Sequence, residues 1–198
     1  AFGSTVGIDV DALATLPIEG FILDTISFSG GSTYLGGIVG SNGNSLFSNC
    51  TGIVNSYEIS NYYMNGNSTV TVIGSVGVAV KIAGTTLSNP LTQKFINTDN
   101  RATYVGGVTR LFNATAVASV TSTSRNDQIG FYLTKNGVLI TESKIYVTTD
   151  TNNRAENVVI QALSSLAPND YIEVWAENSS DSSNVTITEL NVLVKSLA

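Results

Sequence analysis

The stretch Ile129-Gly-Phe-Tyr-Leu-Thr-Lys-Asn-Gly-Val-Leu-Ile140 decides the fold class. Asn136-Gly137 separates two apolar runs, and residues that tolerate positive φ are what a two-residue type I′ hairpin turn requires. Two antiparallel strands are therefore expected here. Downstream, Ile145 to Thr149 reads as another strand. Asn157 to Leu166 has two readings. Val159, Leu163 and Leu166 fit a helix, whereas Val158, Ile160 and Ala162 fit a strand; β-branched content and the short strand spacing around it select the strand. Pro168-Asn-Asp170 is a turn. It launches Tyr171-Ile-Glu-Val-Trp-Ala-Glu177, in which Ile172, Val174 and Ala176 share one face and Tyr171, Glu173, Trp175 and Glu177 the other. Asn178 to Ser183 is a polar loop, and Val185 to Val194 is the last strand.

Upstream the pattern is similar. Asn65-Gly66 signals a turn before the alternating Thr69-Val-Thr-Val-Ile-Gly74. Val76, Val78, Val80 and Ile82 alternate with Gly77, Ala79 and Lys81. Phe95-Ile96 and Tyr104-Val105 are short strands around a polar loop at 97–102, and Leu111 to Val120 is a longer strand. Eight or more short strands with hairpin punctuation imply an antiparallel sandwich or jelly roll. Nearer the start, Gly20 to Gly31 holds a strand with Phe21 and Leu23, and Leu46 to Val54 and Tyr57 to Met64 have the same texture. Short apolar strands broken by Asn, Gly and Ser fit β-helix rungs or ordinary antiparallel hairpins. One short helix is expected: Asp9 caps it, Val10 to Leu16 form it, and Pro17 stops it.

Composition narrows the function. Of 198 residues, 42% are hydrophobic, enough for a core, but only 12% are charged. Ser (23), Thr (23), Asn (20) and Gly (18) supply the polar surface instead. No apolar run is long enough for a membrane span, and no basic-then-apolar leader is visible. Histidine is absent and Cys50 is the single cysteine. A Ser-His-Asp triad, a Cys-His pair, a His-ligated zinc and an intrachain disulfide are excluded. Cys50, between Phe47 and Ile53, is expected to be reduced and buried. The net charge of −6 disfavours nucleic acid, which needs clustered Lys and Arg, and an anionic membrane surface. Residues 1–80 carry no Lys or Arg, only Asp9, Asp11, Glu19, Asp24 and Glu58. All nine basic residues follow, from Lys81 onward.

Candidate motifs are few. Asp150-Thr-Asn-Asn-Arg-Ala155 begins like a calcium loop, but Arg154 and Ala155 stand where a ligand and a glycine are needed. Gly36-Gly-Ile-Val-Gly-Ser-Asn-Gly43 matches neither phosphate-binding spacing, and no Lys-Ser or Lys-Thr follows. Five N-x-[ST] sequons, at Asn49, Asn67, Asn113, Asn178 and Asn184, are the number expected by chance in so Asn- and Ser/Thr-rich a chain. Among carboxylates, Glu173 and Glu177 share a strand face but are spaced too far apart to act on one atom, and Glu156, Asp170 and Asp181 sit in turns; a solvated face is the expectation. Tyr171 and Trp175 could stack on a sugar or line a core or subunit interface, and the interface reading is favoured.

The order of three elements resembles a known family. The Lys135-Asn-Gly137 hairpin, Leu166-Ala-Pro-Asn-Asp-Tyr-Ile172 and a last Val-rich strand look like the tumour-necrosis-factor-like jelly roll. More narrowly they resemble the complement-type globular heads of bacteriophage structural proteins. The match covers about residues 75–198. It implies a homotrimer and carries no catalytic residues, no cofactor and, with no matching ligand cluster, no metal. Residues 18–67 more loosely resemble the β-helical region that precedes such heads. The implied organisation is an anchoring region at 1–74 and a jelly roll at 75–198. The implied function is structural and non-enzymatic: a trimer on the virion surface, as a capsid decoration protein or a head or tail fibre. Its partners would be capsid or tail proteins of the same virion. The alternative is an adhesin that recognises host surface glycans. The cation-free first 80 residues would be the docking end. No nucleic acid and no membrane insertion are expected.

Overall fold

A computed structural model describes residues 8–9, 21–24, 35–36, 45–48, 58–150 and 154–197. Two compact units emerge, Ala1–Tyr57 with Ala198, and Glu58–Leu197. In the first, β1 (Ile8–Asp9) pairs in parallel with β3 (Leu35–Gly36), and β2 (Phe21–Asp24) pairs in parallel with β4 (Ser45–Ser48). Interleaved parallel pairs mean the chain winds back alongside itself, as rungs do; antiparallel hairpins would have given the opposite sense. Asp9 is a strand residue here. Residues 10–17 and Cys50 lie outside the described residues.

The second unit is a sandwich of two antiparallel sheets. The first sheet has the order β14 (Glu156–Leu166), β10 (Arg110–Ser122), β16 (Val185–Ser196), β5 (Ile59–Met64), β7 (Leu87–Ser88). The second runs β12 (Val138–Leu139), β11 (Gln128–Lys135), β15 (Tyr171–Asn178), β9 (Arg101–Tyr104), β8 (Phe95–Thr98). β13 (Ile145–Thr148) pairs with β11, and β6 (Val80–Lys81) pairs with β15. From β9 onward the chain crosses between the sheets repeatedly: β9 second, β10 first, β11 to β13 second, β14 first, β15 second, β16 first. That repeated exchange is the jelly-roll winding.

Alternation fills the space between the sheets. From the first sheet come Phe112, Ala114, Ala116, Ala118 and Val120 of β10, Val158, Ile160 and Ala162 of β14, and Tyr62 and Met64 of β5. Ile129, Phe131 and Leu133 of β11 and Ile172, Val174 and Ala176 of β15 meet them. Phe95, Tyr104 and Phe112 pack edge to face or tilted, with ring centroids 4.9–5.4 Å apart. In β16 the inward set changes parity. Val185 and Ile187 point inward, then Leu190, Val192 and Val194, because the register against β10 shifts between Ser119 and Val120. One extra residue at this bulge keeps both halves of the strand facing the core.

Several local expectations change. The alternation at 69–82 yields only β6; Val70, Val72, Val76 and Val78 are exposed, and Gly77 has φ 68°. Asn65-Gly66 does not open a hairpin. The chain continues along the same partner strand, with Asn67 N donating to Thr188 O and Thr71 N to Val185 O. The segment 97–102, expected as a loop, instead extends the paired strands β8 and β9 around a two-residue turn in which Asp99 and Asn100 both have φ 52°. The compact unit also begins at Glu58, earlier than the division at 74/75, because Ile59–Met64 is paired to β16. Both ends of the sandwich lie together: Ser196 N donates to Glu58 O and Leu197 N to Leu111 O.

Candidate functional site

The hairpin turn and the turn before β15 meet at the end of the sandwich that holds Glu58 and Leu197. Asn136 and Gly137 adopt φ 53° and 75°, the left-handed pair a type I′ turn needs. Asp170 N donates to Ala167 O across Pro168-Asn169, and Asn169 has φ 73°, so this is a type II turn with Pro and Asn at its middle positions. The Asn136 side chain then joins the two turns. Its Nδ2 donates to Asp170 Oδ1 at 2.7 Å, and Tyr171 N donates to its Oδ1 at 2.9 Å. Asp170 Oδ2 accepts from Ala167 N and from Lys135 Nζ, each at 2.8 Å. Burial would push the Asp170 carboxyl up, but the Lys135, Asn136 and Ala167 hydrogen bonds outweigh it and hold it below the ordinary carboxylate range.

The outer face of the second sheet is laced with ion pairs. Tyr171, Glu173, Trp175 and Glu177 point outward from β15, as the alternation requires. Glu173 and Glu177 are not solvated, however: each is 4% exposed. Long neighbouring side chains cover them. Lys81 Nζ lies 3.1 Å from Glu173 Oε1 and 2.8 Å from Asp99 Oδ2. Lys144 Nζ lies 2.7 Å from Glu177 Oε1 and over the rings of Tyr132 and Tyr146, at 4.9 and 4.4 Å. Both tyrosine hydroxyls donate to Glu177. Burial would raise the Glu177 carboxyl, yet the Lys144 and tyrosine hydrogen bonds win and lower it. A general acid of glycoside hydrolysis needs the opposite shift.

Tyr171 and Trp175 belong to this charged face. Arg101 stacks 4.8 Å from the Tyr171 ring centroid, and Trp175 Nε1 donates to Glu173 Oε2 at 3.0 Å. A Cβ on Gly137 would sit 3.9 Å from Trp175 Cζ2 and 4.0 Å from the Tyr171 hydroxyl, so the hairpin tip rests between the two rings. Each ring is thus partly covered within the chain and remains half-buried.

The outer face of the first sheet has the opposite character, which the sequence reading did not single out. Leu111, Asn113, Thr115, Val117 and Ser119 of β10 lie beside Asn157, Val159, Gln161, Leu163 and Ser165 of β14, with Val117 opposite Val159. Asn191 and Leu193 of β16 and Ile59, Asn61 and Tyr63 of β5 extend it. Leu111, Val117, Val159 and Leu163 are 46–57% exposed. Among the described residues this face has only Glu189 and Lys195 as charges, both on β16. The far edge of β14, 11 residues long, has no strand partner among the described residues. From Asn157 to Leu166 it contains no charge and no proline. At one end Lys135 of β11 donates to Ser165 O at 2.6 Å; the strand's own sequence otherwise lacks the guards that edge strands left open to water ordinarily carry.

Other candidates find structural roles. Asn67 Nδ2 donates to Ile187 O, Asn178 Nδ2 to Asp181 and Ser183, and Asn184 Oδ1 accepts from Ile73 N. These three sequon asparagines pin loops to the sandwich. Among the described residues no three His, Cys, Asp or Glu side chains converge as metal ligands, and no helix is long and apolar enough to cross a membrane.

No family model and no curated protein matches the chain. Solved structures of similar fold exist at very low identity. Murine APRIL is 8% identical, with a TM-score of 0.49, covering 69% of this chain and 98% of that one. The PRD1 vertex protein P5 is 8% identical, with a TM-score of 0.48, covering 71% and 96%. An Eiger TNF from S. frugiperda is 10% identical, with a TM-score of 0.43, covering 72% and 93%.

Proposed function

We propose that the chain is a non-enzymatic structural protein of a bacteriophage virion that works as a homotrimer, displayed on the capsid or on a fibre. The observation that carries the trimer is the contrast between the two outer faces. One is covered by ion pairs and covered carboxylates, which are costly to desolvate further. The other is apolar and amide-rich over four strands, the composition of a surface meant to be covered. The edge of β14, without a strand partner among the described residues, and the β5–β7 end lie at opposite sides of the same sheet. A contact between them is head-to-tail, so copies close into a ring rather than pair about a twofold axis. The resemblance of the hairpin and turn motifs to phage globular heads supports the virion setting. The cation-free residues 1–57 supply the attachment to capsid or tail proteins.

Light scattering of the purified protein tests the trimer, with three times 20.8 kDa expected. The double substitution Val117→Lys, Val159→Lys should yield monomers, while Thr103→Lys on the other sheet should leave the trimer intact. A wild-type monomer overturns the proposal. Attachment is tested by deleting residues 1–40: trimers should persist while binding to particles is lost.

Glycan stacking on Tyr171 and Trp175 has weaker support, because Arg101 and the hairpin tip cover part of those rings.

A further inference from the structure

A row of amides crosses the apolar face of the first sheet. Asn89 Nδ2 donates to Asn61 Oδ1 at 3.2 Å, and Asn61 Nδ2 donates to Asn191 Oδ1 at 2.8 Å and to Val192 O at 3.0 Å. The row runs one way, from the segment after β7, across β5, to β16. It ends on Asn191 Nδ2, which has no hydrogen-bond partner among the described residues. Ile59, Leu91 and Leu193 wall the row, and together these six residues line an open groove of about 350 Å³. Leu91 is 73% exposed. On the neighbouring strand β10, Asn113 Oδ1 is buried from water and also lacks a partner. One exposed donor without a protein partner and one buried acceptor without a partner thus stand on this apolar and amide-rich face.

We propose that this amide row sets the register of the contact between copies, with the free edge of β14 of a second copy as its occupant. The inference rests on the ring-closing contact proposed above and adds what fixes its alignment. An apolar face by itself accepts a partner strand at several offsets two residues apart, since each offset presents the same side-chain pattern. A buried polar group removes that degeneracy, because every offset but one leaves an amide unpaired. A single asparagine fixes coiled-coil register and oligomer number in the same way. The occupant follows from the same sheet. β14 has no strand partner on its far edge among the described residues and no charge of its own from Asn157 to Leu166, with only Ser165 O taken up, by Lys135 Nζ, whereas the ion-paired second sheet offers covered charges. The uncharged groove has no counter-charge for a charged partner.

Cysteine pairs between copies test this directly, in a Cys50→Ser background. Leu193→Cys on the groove wall is combined, one at a time, with Asn157→Cys, Val159→Cys, Gln161→Cys or Leu163→Cys on β14. Within one copy β10 separates β16 from β14, so Cα atoms two strands apart stand about 10 Å from each other, too far for a disulfide. Oxidation followed by a non-reducing gel should give crosslinked chains at one dominant position, at least tenfold above the others. Adding Asn191→Leu should spread the crosslinks over two or more positions within threefold of one another, while the trimer mass is kept. The same dominant position in the Asn191→Leu protein overturns the register role, as does the absence of crosslinks at all four positions in a protein that is a trimer by light scattering. A protein that is a monomer by light scattering overturns the trimer reading and this inference together. Should Asn191→Leu fail to fold, Asn89→Ala at the other end of the row makes the same comparison.

Discussion

The side-chain amide of Asn136 donates to the carboxylate of Asp170 at 2.7 Å, tying a hairpin turn to a type II turn 34 residues away in sequence. Neither turn depends on the other for its local geometry. Asn-Gly suffices for one, and Pro-Asn for the other. The hydrogen bonds between them fix how β11 and β15 approach each other at this end of the second sheet.

Asn136→Ala removes two hydrogen bonds and puts a Cβ-bearing residue without an amide at φ 53°. Asp170 keeps Lys135 and Ala167, so its charge stays compensated. The expected loss is about 1–3 kcal/mol, read by chemical denaturation at fixed protein concentration. A loss below about 0.5 kcal/mol, the range of an ordinary surface substitution, would mean that the clamp does not hold the turns.

The two glycines that follow β9 should differ sharply. A Cβ at Gly106 would overlap the Tyr104 hydroxyl and ring, whereas at Gly107 it meets nothing within 4 Å. Tyr104 is fully buried and its hydroxyl donates to Val108 O at 3.0 Å, so the ring cannot give way without opening the Phe95–Phe112 cluster. Gly106→Ala should lower the thermal midpoint by several degrees, which corresponds to about 1–3 kcal/mol of overpacking. Gly107→Ala should be neutral within error. Equal midpoints for the two variants would refute the argument.

How much of this was legible in the sequence depends on the range of the interaction. Strand β15 follows from period-two alternation, β14 from β-branched content and the strand spacing around it, and the β11 hairpin from Asn136-Gly137, a dipeptide with one strong conformational preference. The Asp99-Asn100 turn is less legible, because Asp-Asn is a weaker signal than Asn-Gly for the same positive φ values. Val76 to Val80 alternates as a strand should, yet Gly77 turns the chain and only Val80–Lys81 pairs. Tyr171 and Trp175 were placed on the correct face, but the sequence holds no sign that Arg101 and Gly137 would cover part of their rings. Those partners come from β9 and from the hairpin tip, and contacts across strands are set by register. The contrast between the outer faces was equally hidden. It needs the strand order, which no local pattern encodes.

Acid should weaken the sandwich in a defined window. Glu177 and Asp170 both lie below their ordinary values of 4.5 and 3.8. A carboxyl lowered by folding contributes its full stability above the unfolded value and loses it as pH falls through the folded one. Stability should therefore be flat from pH 7 to about 5 and decline below about 4.5. Glu177→Gln should flatten part of that decline, because the group that titrates is gone. A profile unchanged by both Glu177→Gln and Asp170→Asn would place the acid sensitivity elsewhere.

Trp175 is the only tryptophan in the chain, so its fluorescence reports on one face of one sheet. If the second sheet faced a neighbouring copy, dissociating the trimer would move this half-buried indole toward water and shift its emission to longer wavelength. The ion-paired cover of that face, with Lys81 on Glu173 and Glu173 on the indole nitrogen, argues that its surroundings are complete within one chain. The emission maximum should therefore be the same in wild-type trimers and in Val117→Lys, Val159→Lys monomers. Trp175→Ala should keep the trimer mass and lose about 2–4 kcal/mol of stability, in the range of other large-to-small truncations of packed side chains, because the hairpin tip loses the ring it rests on. A red shift on dissociation, or monomers from Trp175→Ala at unchanged fold, would instead put Tyr171 and Trp175 in the subunit interface and reverse the assignment of the two faces.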